Sequence, residues 1–417
     1  MIKIRCLLAV CGIACGLTAA PVLALEAPGT SQTEESIRVN SDEAIPVGPF
    51  LFSPAIQLSW QDRDNIFFTP DDPVQDQVYL AKARFLFEVP IFESYLQFSY
   101  TPEYRDYKDY DLEDKWAHFV DVAGAFEFPS GLRLNLGYNY IVGNLEVREV
   151  DPGGELVWGD REFTKNFAAV GGDYFITQTD GLNFEMSWAD VDHEDPDLFY
   201  DYTSITAAAG WLHQLSPILV MTLNYGYNRY DAKNQEEYSD AFHDSTSDQI
   251  AFGLRGQLSP VVATEGTIGY RRTKYDSEPG DPPTEDFSGV IANGWISWDM
   301  GHGSEVRLDV LREPYPSNYG PNSNYVATGA SLMYSYDRGT FFGQLRGRYQ
   351  NNDYNFADPP SDIVRSDDIA TFGLGLGIRF NPFLSLWGTY LYEDRDSTIY
   401  EASYKTNIYS LGLVFGY

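Results

Sequence analysis

Reading back from the carboxy-terminus, Tyr417, Phe415, Leu413, Leu411 and Tyr409 are large and apolar, whereas Gly416, Val414, Gly412 and Ser410 between them are mostly small. A strand places alternate side chains on opposite faces, so this pattern predicts a strand with one greasy row and one row of small residues. The alternation returns in Phe85-Phe87-Val89, Leu96-Phe98-Tyr100, Leu132-Leu134-Leu136-Tyr138-Tyr140, Leu182-Phe184-Met186-Trp188, Leu219-Met221-Leu223-Tyr225-Tyr227 and Phe372-Leu374-Leu376-Ile378-Phe380. A period of two sustained over so many segments predicts an all-β chain.

The connections alternate between short and long. The short ones carry turn residues, around Pro90, Pro129-Ser130-Gly131, Thr179-Asp180-Gly181, Leu215-Ser216-Pro217, Leu258-Ser259-Pro260, Gly301-His302-Gly303, Asp337-Arg338-Gly339 and Asn381-Pro382. The long ones are acidic and often Pro-rich: Gln61 to Gln77, Arg105 to Lys115, Gly143 to Arg161, Asp190 to Asp201, Arg229 to Asp248, Lys274 to Asp286, Arg312 to Asn324, Asn351 to Asp368 and Glu393 to Lys405. About nine long loops and about eight short turns join about 18 strands, an even number as bacterial single-chain barrels require, with 16 the nearest alternative. The predicted fold is a transmembrane antiparallel up-and-down β-barrel over 50–417.

Composition agrees with a barrel and disagrees with membrane helices. Mean hydropathy is −0.31, and beyond the first residues no apolar run approaches the roughly 18 needed for a spanning helix. A barrel strand needs only alternate residues to be apolar, and the 15% aromatic content suits interfacial girdles. Lys3 and Arg5, an apolar run from Cys6 to about Ala20, and Val22-Leu23-Ala24 read as a cleaved export signal over 1–24. Residues 25–49 are polar and aperiodic, and are expected to form a flexible periplasmic leader. Cys6, Cys11 and Cys15 all fall within the signal, which removes thiol chemistry from the mature chain. A formal charge of −33 excludes nucleic acid as a partner class.

If the apolar rows face lipid, the alternate positions face a hydrated lumen. The basic candidates there are Lys82, Arg84, Arg133, Arg255, Arg271, Arg307, Arg346, Arg348 and Arg379, and the acidic ones include Glu185, Glu265 and Glu305, with Glu88, Asp121, Glu127 and Asp309. Arg346, Arg348 and Arg379 suggest a positive ladder for a polyanion, but pairing of each Arg with a facing carboxylate explains them more simply. The acidic loops, such as Asp190 to Asp197, contain no twelve-residue calcium motif, so solvated charge bridged loosely to lipopolysaccharide is the expectation, and no cofactor is implied. His118, His193, His213, His243 and His302 are scattered outside any nucleophile or zinc motif, so an enzymatic role at the rim, with His193 or His243, is the weakest reading.

Ser53-Pro54-Ala55-Ile56, followed by Asp62-Arg63-Asp64-Asn65-Ile66-Phe67, resembles the opening of the putative β-barrel porin 2 family. Tyr392-Glu393-Asp394-Arg395-Asp396-Ser397, then Asn407 and Leu411-Gly412-Leu413, is similar to that family's closing hairpin. The resemblance implies an outer-membrane channel working as the exit barrel for an exopolysaccharide, with a periplasmic polysaccharide-export protein as partner. A general small-solute porin and a non-conducting structural or adhesive barrel are the alternatives. Tyr409, Leu411, Leu413, Phe415 and the terminal Tyr417 are the expected signal to the barrel assembly machinery.

Overall fold

Every alternating segment forms a strand that pairs antiparallel with the segments before and after it. A computed structural model describes residues 44–92, 94–110, 115–146, 155, 160–193, 201–233, 244–276, 286–317, 322–358 and 362–416. The signal segment 1–24, most of the 25–49 leader, His243, Glu194 to Asp197 and Tyr417 lie outside these residues.

A three-residue strand β1 (Ile45–Val47) precedes β2 (Phe50–Arg63), β3 (Asp76–Ile91), β4 (Ser94–Tyr107), β5 (Lys115–Glu127), β6 (Leu132–Glu146), β7 (Asp160–Phe175), β8 (Asp180–His193), β9 (Tyr202–Ser216) and β10 (Leu219–Ala232). The series continues with β11 (Ser245–Ser259), β12 (Val262–Tyr275), β13 (Phe287–Gly301), β14 (Ser304–Pro316), β15 (Asn324–Arg338), β16 (Phe341–Asp358), β17 (Ile363–Asn381), β18 (Leu384–Ser397) and β19 (Tyr404–Gly416). From β2 to β19 each strand pairs with its sequence neighbours, and β19 pairs back onto β2 from Ile408 opposite Arg63 to Gly416 opposite Ala55. The result is a closed antiparallel barrel of 18 strands.

Closure satisfies every strand's backbone without an exposed edge, which is what lipid requires of a spanning sheet. The alternation decides which face meets lipid. On β17 and β19, Leu376 is 63% exposed and Phe415 58%, whereas Val414, one residue away on the other face, is 3% exposed. The short turns have the chemistry the sequence advertised. Gly131 has φ +82, a conformation open to glycine, and its N–H donates to the Phe128 carbonyl at 2.9 Å, closing the β5–β6 hairpin.

Two expectations need correction. The leader segment does not stay irregular to Pro49, because Ile45–Val47 folds back on Phe50–Phe52 through Gly48-Pro49. The expected loops at Asn351 to Asp368 and Glu393 to Lys405 are largely strand: β16 and β17 pair out to Asp358 opposite Ile363, and β18 runs to Ser397. Apolar alternation stops where lipid stops, but backbone pairing does not, so polar residues prolong the ladder beyond the membrane.

Candidate functional site

The inward positions of the barrel form a charged wall, and most of its cations are paired. Lys82 Nζ lies 2.7 Å from Glu103 Oε2, and Arg105 Nε lies 2.6 Å from Glu103 Oε1. Arg271 Nη1 reaches Glu313 at 3.0 Å, Arg133 reaches Glu127 at 3.5 Å, and Arg255 on β11 pairs with Asp173 on β7. Arg307 pairs with Asp309 at 2.8 Å and lies over the Trp295 ring at 4.6 Å. Glu305 lies towards the short-turn rim, opposite Asp299 and Ser335.

Arg379 does not join Arg346 and Arg348. Arg346 is opposite Gly373, and Arg379 is six residues further along β17, about 20 Å at strand rise. There it grips Asp337 with two bonds, of 2.7 and 2.9 Å, and donates to the Gly339 carbonyl. Arg348 bonds Gln350. Arg84 and Arg346 make no ion pair or hydrogen bond among the described residues, and neither do Glu185 and Glu265.

Those two carboxylates border a small hollow in the wall across β7 to β12, with a volume of about 70 Å³. Its floor is made of small residues, Gly171, Ala208 and Gly253, and the Arg255–Asp173 pair lies beside it. At Gly210 on β9 a Cβ would collide with the Leu223 carbonyl and with the Asn183 and Asn224 amide oxygens, so only hydrogen fits there.

Nearer the long-loop rim one residue from a distant connection meets the wall. Glu155 belongs to the connection between β6 and β7, yet its carbonyl oxygen accepts from Arg365 Nη2 on β17 at 2.8 Å and from Arg395 Nη2 on β18 at 2.6 Å. Neither strand neighbours β6 or β7. Ser317, just after β14, donates to the Glu155 carboxylate. Behind the clamp, Asp367 accepts from both arginines, with Arg365 Nε 3.1 Å from each oxygen. Arg365 also lies 4.9 Å over Tyr354, which stacks on Tyr325 and through it reaches Tyr315. Glu155 and Asp367 are both 0% exposed.

The arrangement is a charge-lined barrel interior with Glu155 held between two arginines at one level. The chain matches the putative β-barrel porin 2 family over residues 43–417. It belongs to that family. Among solved structures, it is similar to OccAB3 of Acinetobacter baumannii at 11% identity and TM-score 0.47, covering 89% of this chain and 100% of that one. It is likewise similar to OpdO of Pseudomonas aeruginosa at 14% identity and TM-score 0.47, covering 89% and 98%. The FrpB iron transporter of Neisseria meningitidis matches at 10% identity and TM-score 0.46 over 88% of this chain, which spans 64% of FrpB. No curated protein sequence matches the chain. Family and fold together make this a porin-like barrel of the outer membrane.

The described histidines do not converge. His118 meets Tyr100 on the lipid face, His193 pairs with Asp201, His213 bonds Asp180 at the short-turn rim, and His302 sits in a turn. Among the described residues no group of three or more His, Cys, Asp or Glu is placed to hold a metal. Lys233 bonds Asp190 and Asp192 at 2.7 and 2.8 Å in the acidic loop considered for calcium. Sequence reasoning missed Glu155, Arg365 and Arg395 as lumen groups; the single available signal was the odd spacing Arg365-x-Asp367 within an otherwise polar stretch.

Proposed function

We propose that this barrel is a diffusion channel for small hydrophilic solutes, narrowed at Glu155. The observation that carries the reading is the burial of Glu155 between Arg365 and Arg395 on walls remote from its own strands. Wall charge then sorts what passes, since a solute exchanges bulk water for the charged and polar side chains of the lumen. The exit-barrel reading implied by the family resemblance requires a polymer to pass the clamp, and no inward residue marks a sugar chain as cargo. A periplasmic export partner belongs to that reading alone.

Planar-bilayer recording tests the proposal. The wild-type barrel is expected to give small unitary steps, and Arg365→Ala with Arg395→Ala larger and noisier ones. An absence of unitary steps in both proteins sinks the channel reading in favour of a structural barrel.

A further inference from the structure

The lipid-facing side of the barrel carries two cations that have no partner among the described residues. On β12, Ile268, Tyr270, Arg272 and Lys274 alternate outward, so the greasy row ends in two cations at the long-loop rim. In bacterial barrels that rim faces the outside. Arg272 and Lys274 are exposed and have no ion pair or hydrogen bond among the described residues. They lie two residues apart on one face, roughly 7 Å.

Other outward cations at this rim are engaged within the protein. Lys233 holds Asp190 and Asp192, Lys405 holds Asp394 at 3.0 Å, and Arg312 donates to Thr328 at 2.7 Å. Beside the unanswered pair, Arg229 on β10 is in register with Thr246, which is itself in register with Lys274. Arg229 gives its Nε to Asp231 at 2.7 Å. Asp248, opposite Arg272, accepts the Tyr225 hydroxyl. The hydroxyls of Tyr225 and Tyr270, the latter bonded to Ser288, mark the boundary between hydrocarbon and headgroups.

We propose that Arg272 and Lys274, with Arg229 beside them, form a docking site for a phosphorylated lipid headgroup of the outer leaflet. A cation at the lipid boundary needs an anionic or polar partner, and guanidinium and ammonium donors suit phosphate oxygens at this spacing. The contact is direct, without a bridging divalent ion. It depends on the barrel's orientation in the membrane, not on whether the lumen conducts.

The test is native mass spectrometry of protein extracted from outer membranes in mild detergent, followed by titration with lipid A and with dephosphorylated lipid A. Wild-type protein is expected to retain phosphorylated glycolipid, and Arg272→Ala with Lys274→Ala to bind it about thirty-fold more weakly. Arg338→Ala, an exposed cation at the opposite rim, should bind as wild type does. The proposal is overturned if the double variant retains as much lipid as wild type, if Arg338→Ala loses as much, or if removing phosphate from the lipid changes nothing. It is equally overturned if a divalent chelator strips the lipid from wild type, because the acidic loops would then be holding it through metal ions.

Discussion

Arg365 and Arg395, on neighbouring strands, both donate to one acceptor, the carbonyl oxygen of Glu155. Asp367 sits between the two guanidinium groups and fixes their planes, so one buried carboxylate orients both donors. The clamp grips a backbone atom, while Ser317 donates to the carboxylate of the same residue.

Asp367→Asn removes the buried counter-charge of both arginines. Breaking such a pair from one side costs about 3–5 kcal/mol. Denaturant unfolding in detergent should show that loss, and single-channel traces should show greater open-state noise than wild type.

Selectivity should respond to the unpaired wall charges in opposite senses. Glu185→Gln with Glu265→Gln is expected to shift the reversal potential in a salt gradient towards anion preference, and Arg84→Ala with Arg346→Ala towards cation preference. Equal reversal potentials in all three proteins would mean that these groups do not face the conducting path.

Gly210→Ala forces a methyl group against the Leu223 carbonyl and two asparagine amides. Overpacking of this kind costs about 1–3 kcal/mol. The urea midpoint should fall while its slope stays the same, since the amount of surface exposed on unfolding is unchanged.

Phe252, midway along β11, is 42% exposed on the lipid face. Phe252→Arg is expected to destabilise the barrel by about 2–4 kcal/mol in vesicles, the magnitude for an arginine near the bilayer midplane. The same variant in a thin-bilayer lipid should lose less.

The strands and their number were legible because lipid imposes a two-residue rhythm on each segment, and Pro129-Ser130-Gly131 and its counterparts punctuate that rhythm. The register of inward charges was not. Arg346, Arg348 and Arg379 share a face, but the register of β16 and β17 places Arg379 at the short-turn mouth, six residues beyond the partner of Arg346. The clamp was hidden for another reason. Arg365 and Arg395 hold Glu155 through its carbonyl, a group every residue possesses, and they lie in polar stretches indistinguishable by composition from solvated loop. The two arginines that hold Glu155 lie more than 200 residues away in sequence.

The seam between β2 and β19 has a consequence for biogenesis. Its nine residue pairs join the earliest strand of the ring to the latest, so the ring has two raw borders until the final hairpin arrives. A nascent or truncated product would offer those borders to any extended peptide nearby, and needs chaperoning through the periplasm until the last strand is in place.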